Sequence, residues 1–279
     1  MKFRTIFILF NIVIVASFLF VFLLPLFLLG GDTSLAFWSG NWYLAIFFVA
    51  LIAALNGFFL ANRKVFVLVE REDWTALSAY LGERIYAKGI FKASHIRLLI
   101  NAYLLQSNVD AIEKLEIELA NKRPKLLRRE ALLFGVTRLL RNMPAEAEAF
   151  FARYLEAKEV ESRDWLRFDY AFSLALQKRV SDALPFLREA SRSRDAILSL
   201  LGAYLLGTLG IAAATSEEER TEIRAEAEAS RARLRKRFPG PRWSSEVERA
   251  KNEVHIVILS KLIDDAGRWL FSADREAKA

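Results

Sequence analysis

Cysteine is absent from all 279 residues, which excludes disulfides, thiolate-held metals and a lipid-modified cysteine. Histidine is nearly absent. His95 opens one predicted helix and His255 lies inside another, far away in the chain, so neither has the companions of a metal ligand or general base. No G-x-G-x-x-G, G-K-[ST], H-E-x-x-H or G-x-S-x-G motif occurs. Asp264 and Asp265 are adjacent on a helix, where their side chains diverge by about 100°, a poor arrangement for an acid/base pair. The sequence therefore predicts no enzyme, no catalytic residue, no cofactor and no metal.

Charge is missing from two long runs. Residues 5–29, TIFILFNIVIVASFLFVFLLPLFLL, carry none, and neither do residues 42–61, WYLAIFFVALIAALNGFFLA. Each reaches the roughly 20 residues needed to cross a bilayer as a helix. MKFR resembles the start of a secretory signal, but the apolar run is too long for one and no A-x-A site comes after it. Lys2 and Arg4 precede the first run, Arg63 and Lys64 follow the second, and the connecting GGDTSLAFWSGN has Asp32 and no cation. Because cationic flanks stay cytoplasmic, the expectation is a two-helix transmembrane hairpin over 1–64, with both termini inside and residues 30–41 as an outside turn. Trp38, Trp42 and Tyr43 suit the outer interface. Asn11 and Asn56, each seven residues inside a flanking arginine, fall at similar depth and are candidates for a hydrogen bond between the helices.

Beyond the second apolar run the chain is periodic. At a shift of 36 residues Ala111 falls on Ala147 and Ala183, Leu115 on Phe151 and Leu187, Leu104 on Leu140 and Leu176, and Asp110 on Glu146 and Asp182. Self-similarity at 20 to 50 residues marks a stacked repeat. The predicted helix pairs are 93–106 with 109–122, 125–141 with 144–158, and 163–177 with 180–192. Asn108 and Asp110 favour a helix start, and Pro124 and Pro144 suit a first turn. Residues 73–89 read as half of an earlier unit.

This array resembles tetratricopeptide (TPR) repeats. Phe134-Gly135 matches the Leu-Gly step of the first helix. Ala111, Ala147 and Ala183 match the small residue of the second, and Leu115, Phe151 and Leu187 its aromatic. The resemblance covers about residues 74–192. It implies an all-α fold, with repeats over 65–192 and helices over 193–279 completing or capping an α-solenoid. It also implies a groove lined by Ile96, Ile100, Tyr103, Leu132, Val136, Leu139, Trp165, Phe168 and Phe172. These side chains are too apolar for a carboxylate clamp. An amphipathic partner helix, or the chain's own helix over 245–272, would fill the groove. The layout of a two-span anchor followed by repeats is similar to that of HemY-like inner-membrane proteins.

Residues 195–214, DAILSLLGAYLLGTLGIAAA, are expected as a buried helix rather than a third span. Ser216 with Glu219 forms a capping box for a helix to about 237. FPGP, 238–241, breaks it, and Ser245 with Glu248 is expected to cap the final helix, with Val247, Val254, Ile258, Leu262, Trp269 and Leu270 as its stripe. Two basic clusters are candidate contacts for anionic lipid or an acidic partner: Lys122, Arg123, Lys125, Arg128 and Arg129, and Arg231, Arg233, Arg235, Lys236 and Arg237. The second also complements the dipole of a helix that starts with acids. The expected function is a membrane-tethered protein–protein scaffold at a bacterial inner membrane. It would have a protein partner and no specific nucleic acid, with homo-oligomerisation open. A structural part of a large envelope machine such as a spirochaete flagellar-motor collar, and a regulatory subunit of a membrane enzyme, are the alternatives.

Overall fold

The computed structural model describes residues 3–250 and 254–276, and every regular element among them is helical. Lys2 and the side chains of Arg4, Asp32 and Val254 lie outside the described residues and side chains. The chain divides into two compact units, Met1–Gly89 and Ile90–Ala279. Residue 64, the expected end of the anchor, lies within the helix Gly31–Glu70.

In the first unit, α1 spans Phe3–Leu29 and α2 spans Gly31–Glu70. The expected outside loop is almost entirely helical. The chain reverses at Gly30, whose φ of 79° a side chain would strain, and α2 kinks at Asn41 (φ −123°, ψ 24°). The two helices run antiparallel. Phe7 and Phe10 meet Phe59 with ring centroids 5.2 and 5.7 Å apart, Phe18 meets Phe48 at 5.8 Å, and Phe22 stacks on Trp38 at 4.5 Å. Asn11 and Asn56 do fall at the same level, but not as a bonded pair. Asn11 Nδ2 donates to Phe7 O at 2.9 Å and Asn56 Nδ2 to Ile52 O at 3.0 Å, each within its own helix. A carbonyl four residues back is always at hand in a helix, whereas a partner across the interface must be brought into place.

α3, Trp74–Gly82, turns back along α2 and continues as a π-helical turn, Glu83–Ala87. Lys64 Nζ lies 4.4 Å from the Tyr80 ring centroid, which fixes the pairing.

The second unit holds α4 (Ala93–Leu105), α5 (Val109–Lys122), α6 (Pro124–Arg129), α7 (Ala131–Leu140), α8 (Pro144–Ala152), α9 (Arg163–Leu176) and α10 (Val180–Ser191). Next is α11 (Ala196–Leu205), extended by a π turn, Leu206–Gly210, and by α12 (Ile211–Ala213). Then come α13 (Glu217–Arg237), α14 (Gly240–Ala250), α15 (Val254–Ile258) and α16 (Ser260–Glu276).

One turn recurs four times. Glu72, Ser107, Asn142 and Lys178 are the non-glycine residues with positive φ among those described, between 54° and 64°, spaced by 35, 35 and 36 positions. At each, the next N–H donates across the turn, in the Schellman pattern that satisfies helix C-terminal carbonyls. Asp73 donates to Leu68 O, Asn108 to Tyr103 O, Met143 to Arg138 O, and Arg179 to Leu174 O, at 2.8 to 3.1 Å. The first of these turns joins α2 to α3, so the last turns of α2 and α3 form a helix–turn–helix of the same kind as α4–α5, α7–α8 and α9–α10. Asp73 and Asn108 also cap the next helix, accepting from Ala76 N and Ala111 N, each worth about 1 kcal/mol.

The spacing of 35 corrects the alignment. Ala111 is half-buried, and Ile112, five residues past its turn, holds the interior position of Ala147 and Ala183. Leu77 holds it after Glu72.

Three boundaries differ from expectation. Residues 125–141 form two helices, broken at Glu130 (φ −99°, ψ 17°). The helix from Pro144 stops at Ala152 rather than 158. The final helix is interrupted at Leu259, between Ile258 and Ser260, and Ser245 sits inside α14 rather than capping it. Pro124 and Pro144 do occupy first turns. Ser216 Oγ accepts from Glu219 N at 3.1 Å, while the Glu219 carboxylate accepts from Thr215 N at 2.9 Å.

By length and composition, three described helical stretches could cross a membrane: Phe7–Leu28, Trp38–Glu70 and Ala196–Ala213. The most apolar windows of the first two contain no buried residue. The third is 61% buried, covered by α10, α13 and α16.

Candidate partner groove

α4, α7, α9 and α11 lie side by side, each touching the next. The first three carry the nine expected groove residues. Ile96, Ile100, Leu132, Val136, Trp165 and Phe168 are buried, and Tyr103, Leu139 and Phe172 are half-buried. Phe168 stacks on Phe172 at 6.2 Å and meets Trp165 edge-on at 5.9 Å.

The C-terminal helices lie on this row. α15 packs against α7, and α14 and α16 pack against α11. The imidazole of His255 stands edge-on to Trp165 at 4.8 Å. Burial pushes its pKa down to about 4, against the opposing pull of Asp195. Trp165 Nε1 donates to Asp195 Oδ2 at 3.2 Å, while Asp195 Oδ1 accepts from Leu198 N and caps α11. Further along, Trp269 lies over Gly207, where a Cβ would come within 3.2 Å of the indole, and meets Tyr204 at 5.9 Å. Ile256, Leu259, Ile263, Ala266 and Leu270 are buried.

Both basic clusters are largely engaged inside the unit. Arg128 pairs with Glu159 at 3.2 Å, Arg129 with Glu161 at 2.9 Å, and Lys122 with Glu118 at 2.7 Å. Arg123 covers the Phe91 ring at 5.7 Å. The Arg129 contact first, then that of Arg97, lowers the pKa of Glu161. These pairs explain the early end of α8: residues 153–162 fold over α6 instead of extending the helix. In the second cluster Arg231 is buried, bonds to Ser272 Oγ at 2.8 Å and lies 4.8 Å from the Trp269 ring. Arg231 and Arg235 both donate to Leu270 O, Arg233 to Ser191 O, and Arg237 to Arg194 O at 3.1 Å. These arginines staple α13 to α16 and to the end of α10. Lys125 and Lys236 are exposed, outside these pairings.

Sequence reasoning missed two buried carboxylates. Glu130 receives two bonds from Arg97, at 2.7 and 2.9 Å. Asp169 on α9 is wholly buried, neither oxygen has a hydrogen-bond partner, and burial alone raises its pKa well above the carboxylate range. The acid at 169 stands where the repeat has Leu133, which was the available signal.

Apolar N-terminal helices with a helix–turn–helix unit repeated behind them define the class: an all-helical protein carrying candidate membrane-spanning segments. The chain belongs to the family described as "Uncharacterised Treponema protein", whose profile matches residues 111–272. It is 28% identical over 232 residues to an "Uncharacterized protein" of Treponema pallidum (strain Nichols), covering 81% of this chain and 74% of that one. No solved structure matches it.

Proposed function

We propose that this chain is a membrane-tethered scaffold that recruits or organises a partner complex at the bacterial inner membrane, with its termini and repeats cytosolic. α1 and α2 are read as a transmembrane hairpin, and the repeats as a degenerate TPR-like solenoid. The recurring turn carries the reading. The turn that ends the long apolar helix α2 is the one that builds the three later units, so anchor and array are made of one repeating element. Repeat stacks of this kind offer extended surfaces to other proteins, and anchoring concentrates them at the membrane.

α15 lies on α7, with His255 against Trp165. A partner therefore displaces that segment or docks on the opposite face, where Ile117 is exposed. The test is photo-cross-linking in native membranes from Val136, Phe172 and Ile117. Cross-links from Val136 or Phe172 to another protein support a recruiting groove. Cross-links from those two only to residues 254–270, with another protein captured at Ile117, move recruitment to the opposite face. No other protein from any of the three sinks the scaffold reading. The second reading is a structural part of a large envelope machine such as a spirochaete flagellar-motor collar, for which ordered homo-oligomers would be the signature.

A further inference from the structure

The anionic-lipid contacts expected from sequence were the two basic clusters, and both are spent largely on internal pairs. A different set of cations stands at the foot of α2. α2 stays uncharged from Trp42 up to Ala61 and then presents Arg63 and Lys64, both exposed. α3 runs antiparallel to it, with Tyr80 opposite Lys64. At about 1.5 Å of rise per residue, Ala87 lies roughly 10 Å beyond Tyr80, back at the level of the last uncharged turn of α2. There Phe58 and Leu60 are exposed on α2, and Tyr86 is exposed on the π turn.

The charges at this level are unbalanced. Arg84 donates from Nη1 to Tyr80 Oη at 2.8 Å and carries its guanidinium 5.7 Å from that ring. Its Nε is buried without a hydrogen-bond partner. Lys88 pairs with Glu83 at 2.8 Å, and both side chains are more than half exposed. Four cations, Arg63, Lys64, Arg84 and Lys88, thus stand in this stretch of α2, α3 and the π turn with one carboxylate, Glu83, beside exposed apolar and aromatic side chains. Long cationic side chains at such a boundary run their stems along apolar surface and lift the charge into the headgroups, and tyrosine settles at the same depth.

We propose that the π turn Glu83–Ala87 and the end of α3 form a lipid-phosphate collar, in which Arg63, Lys64, Arg84 and Lys88 hold anionic phospholipid headgroups of the leaflet from which α2 emerges. The proposal rests on the membrane-spanning reading of α1 and α2.

The experiment uses the full chain, whose lack of cysteine permits single labels. Ala87→Cys and, as a control at the far end of α2, Arg71→Cys carry a fluorophore in bilayers with headgroup-level quenchers. Native mass spectrometry then compares retained phosphatidylglycerol with phosphatidylcholine for the unaltered chain and for Arg84→Gln/Lys88→Gln. The expected results are strong quenching at 87 with little at 71, and a phosphatidylglycerol preference that falls by about an order of magnitude in the double variant. Equal quenching at both positions, or an unchanged preference, overturns the collar while the chain remains integral. Release of the chain from membranes by alkaline carbonate overturns the membrane reading itself.

Discussion

A Cβ placed on Gly135 would lie against the Phe151 ring, closer to Cε1 than any real contact allows. The two residues bring α7 and α8 together, and the ring occupies the space that any side chain at 135 would need. Gly135→Ala forces the Phe151 ring or the helix axis to move, and overpacking of this sort costs about 1 to 3 kcal/mol. Thermal unfolding of the detergent-solubilised chain, followed by helical circular dichroism, should fall by several degrees. Gly135→Ala/Phe151→Leu should recover part of the loss. Strict additivity of the two changes would show that this contact is not the constraint.

Arg97 and Glu130 form the second close relationship. Glu130 is 4% exposed and breaks the chain between α6 and α7, with Arg97 forked onto both of its oxygens. The Glu130 hydrogen bond first, with Glu161 adding to it, raises the pKa of Arg97 further above its ordinary value. Arg97→Met leaves a buried carboxylate with only the longer contact of Arg129 Nε at 3.5 Å. That costs about 1 to 3 kcal/mol, toward the lower end because the Arg97 side chain is 38% exposed and screened by water. Arg97→Met/Glu130→Leu should cost less than Arg97→Met alone, because no charge is then stranded. Urea titration of the three variants gives the comparison.

Much of the helix pattern was legible because its causes are local. Asn108 as a cap, prolines at first turns and apolar spacing are enough to place α4, α5, α9 and α10 within a residue or two. The features that were not legible depend on distant pairings. α8 ends early because Glu159 and Glu161 are drawn to arginines some 30 residues upstream. Ile112 takes the place predicted for Ala111 because the turns recur after 35 residues there, a slip that side-chain matching at 36 conceals. The groove residues were named from the repeat. Their covering by His255 and its neighbours joins positions 90 residues apart, as between Trp165 and His255, and nothing in local spacing announces that. The arginines of 231–237 read as a surface cluster until the carbonyls they bind are seen.

Asp169 sets a pH dependence of one sign. Its folded-state pKa lies well above the ordinary carboxylate value through burial. Below about pH 4 both folded and unfolded chains hold the proton and the residue is neutral in its effect. As pH rises, the unfolded chain ionises while the folded one does not, so stability falls until the folded pKa is reached. Asp169→Asn removes the titration at nearly constant volume. It should stabilise the chain at pH 7.5, and the gain should shrink toward pH 4. A pH-independent difference between the two chains would show that Asp169 is already ionised in the fold.

His255 acts in the opposite direction. Its pKa is pushed down to about 4 by burial against Trp165, so the folded chain refuses a proton that the unfolded one takes up below about 6.5. Stability is therefore full above that value and is lost as pH falls toward 4, by about 2 to 3 kcal/mol over the window. His255→Phe keeps an aromatic ring against the indole and cannot titrate, so its urea midpoint should change less than that of the unaltered chain between pH 7 and 4.5. Because α15 lies on α7, the same protonation should loosen the groove's cover. Acid should raise cross-linking from Val136 to other proteins in the unaltered chain and leave it unchanged in His255→Phe. Parallel pH profiles for the two chains would show that the imidazole is not seated on Trp165 in solution.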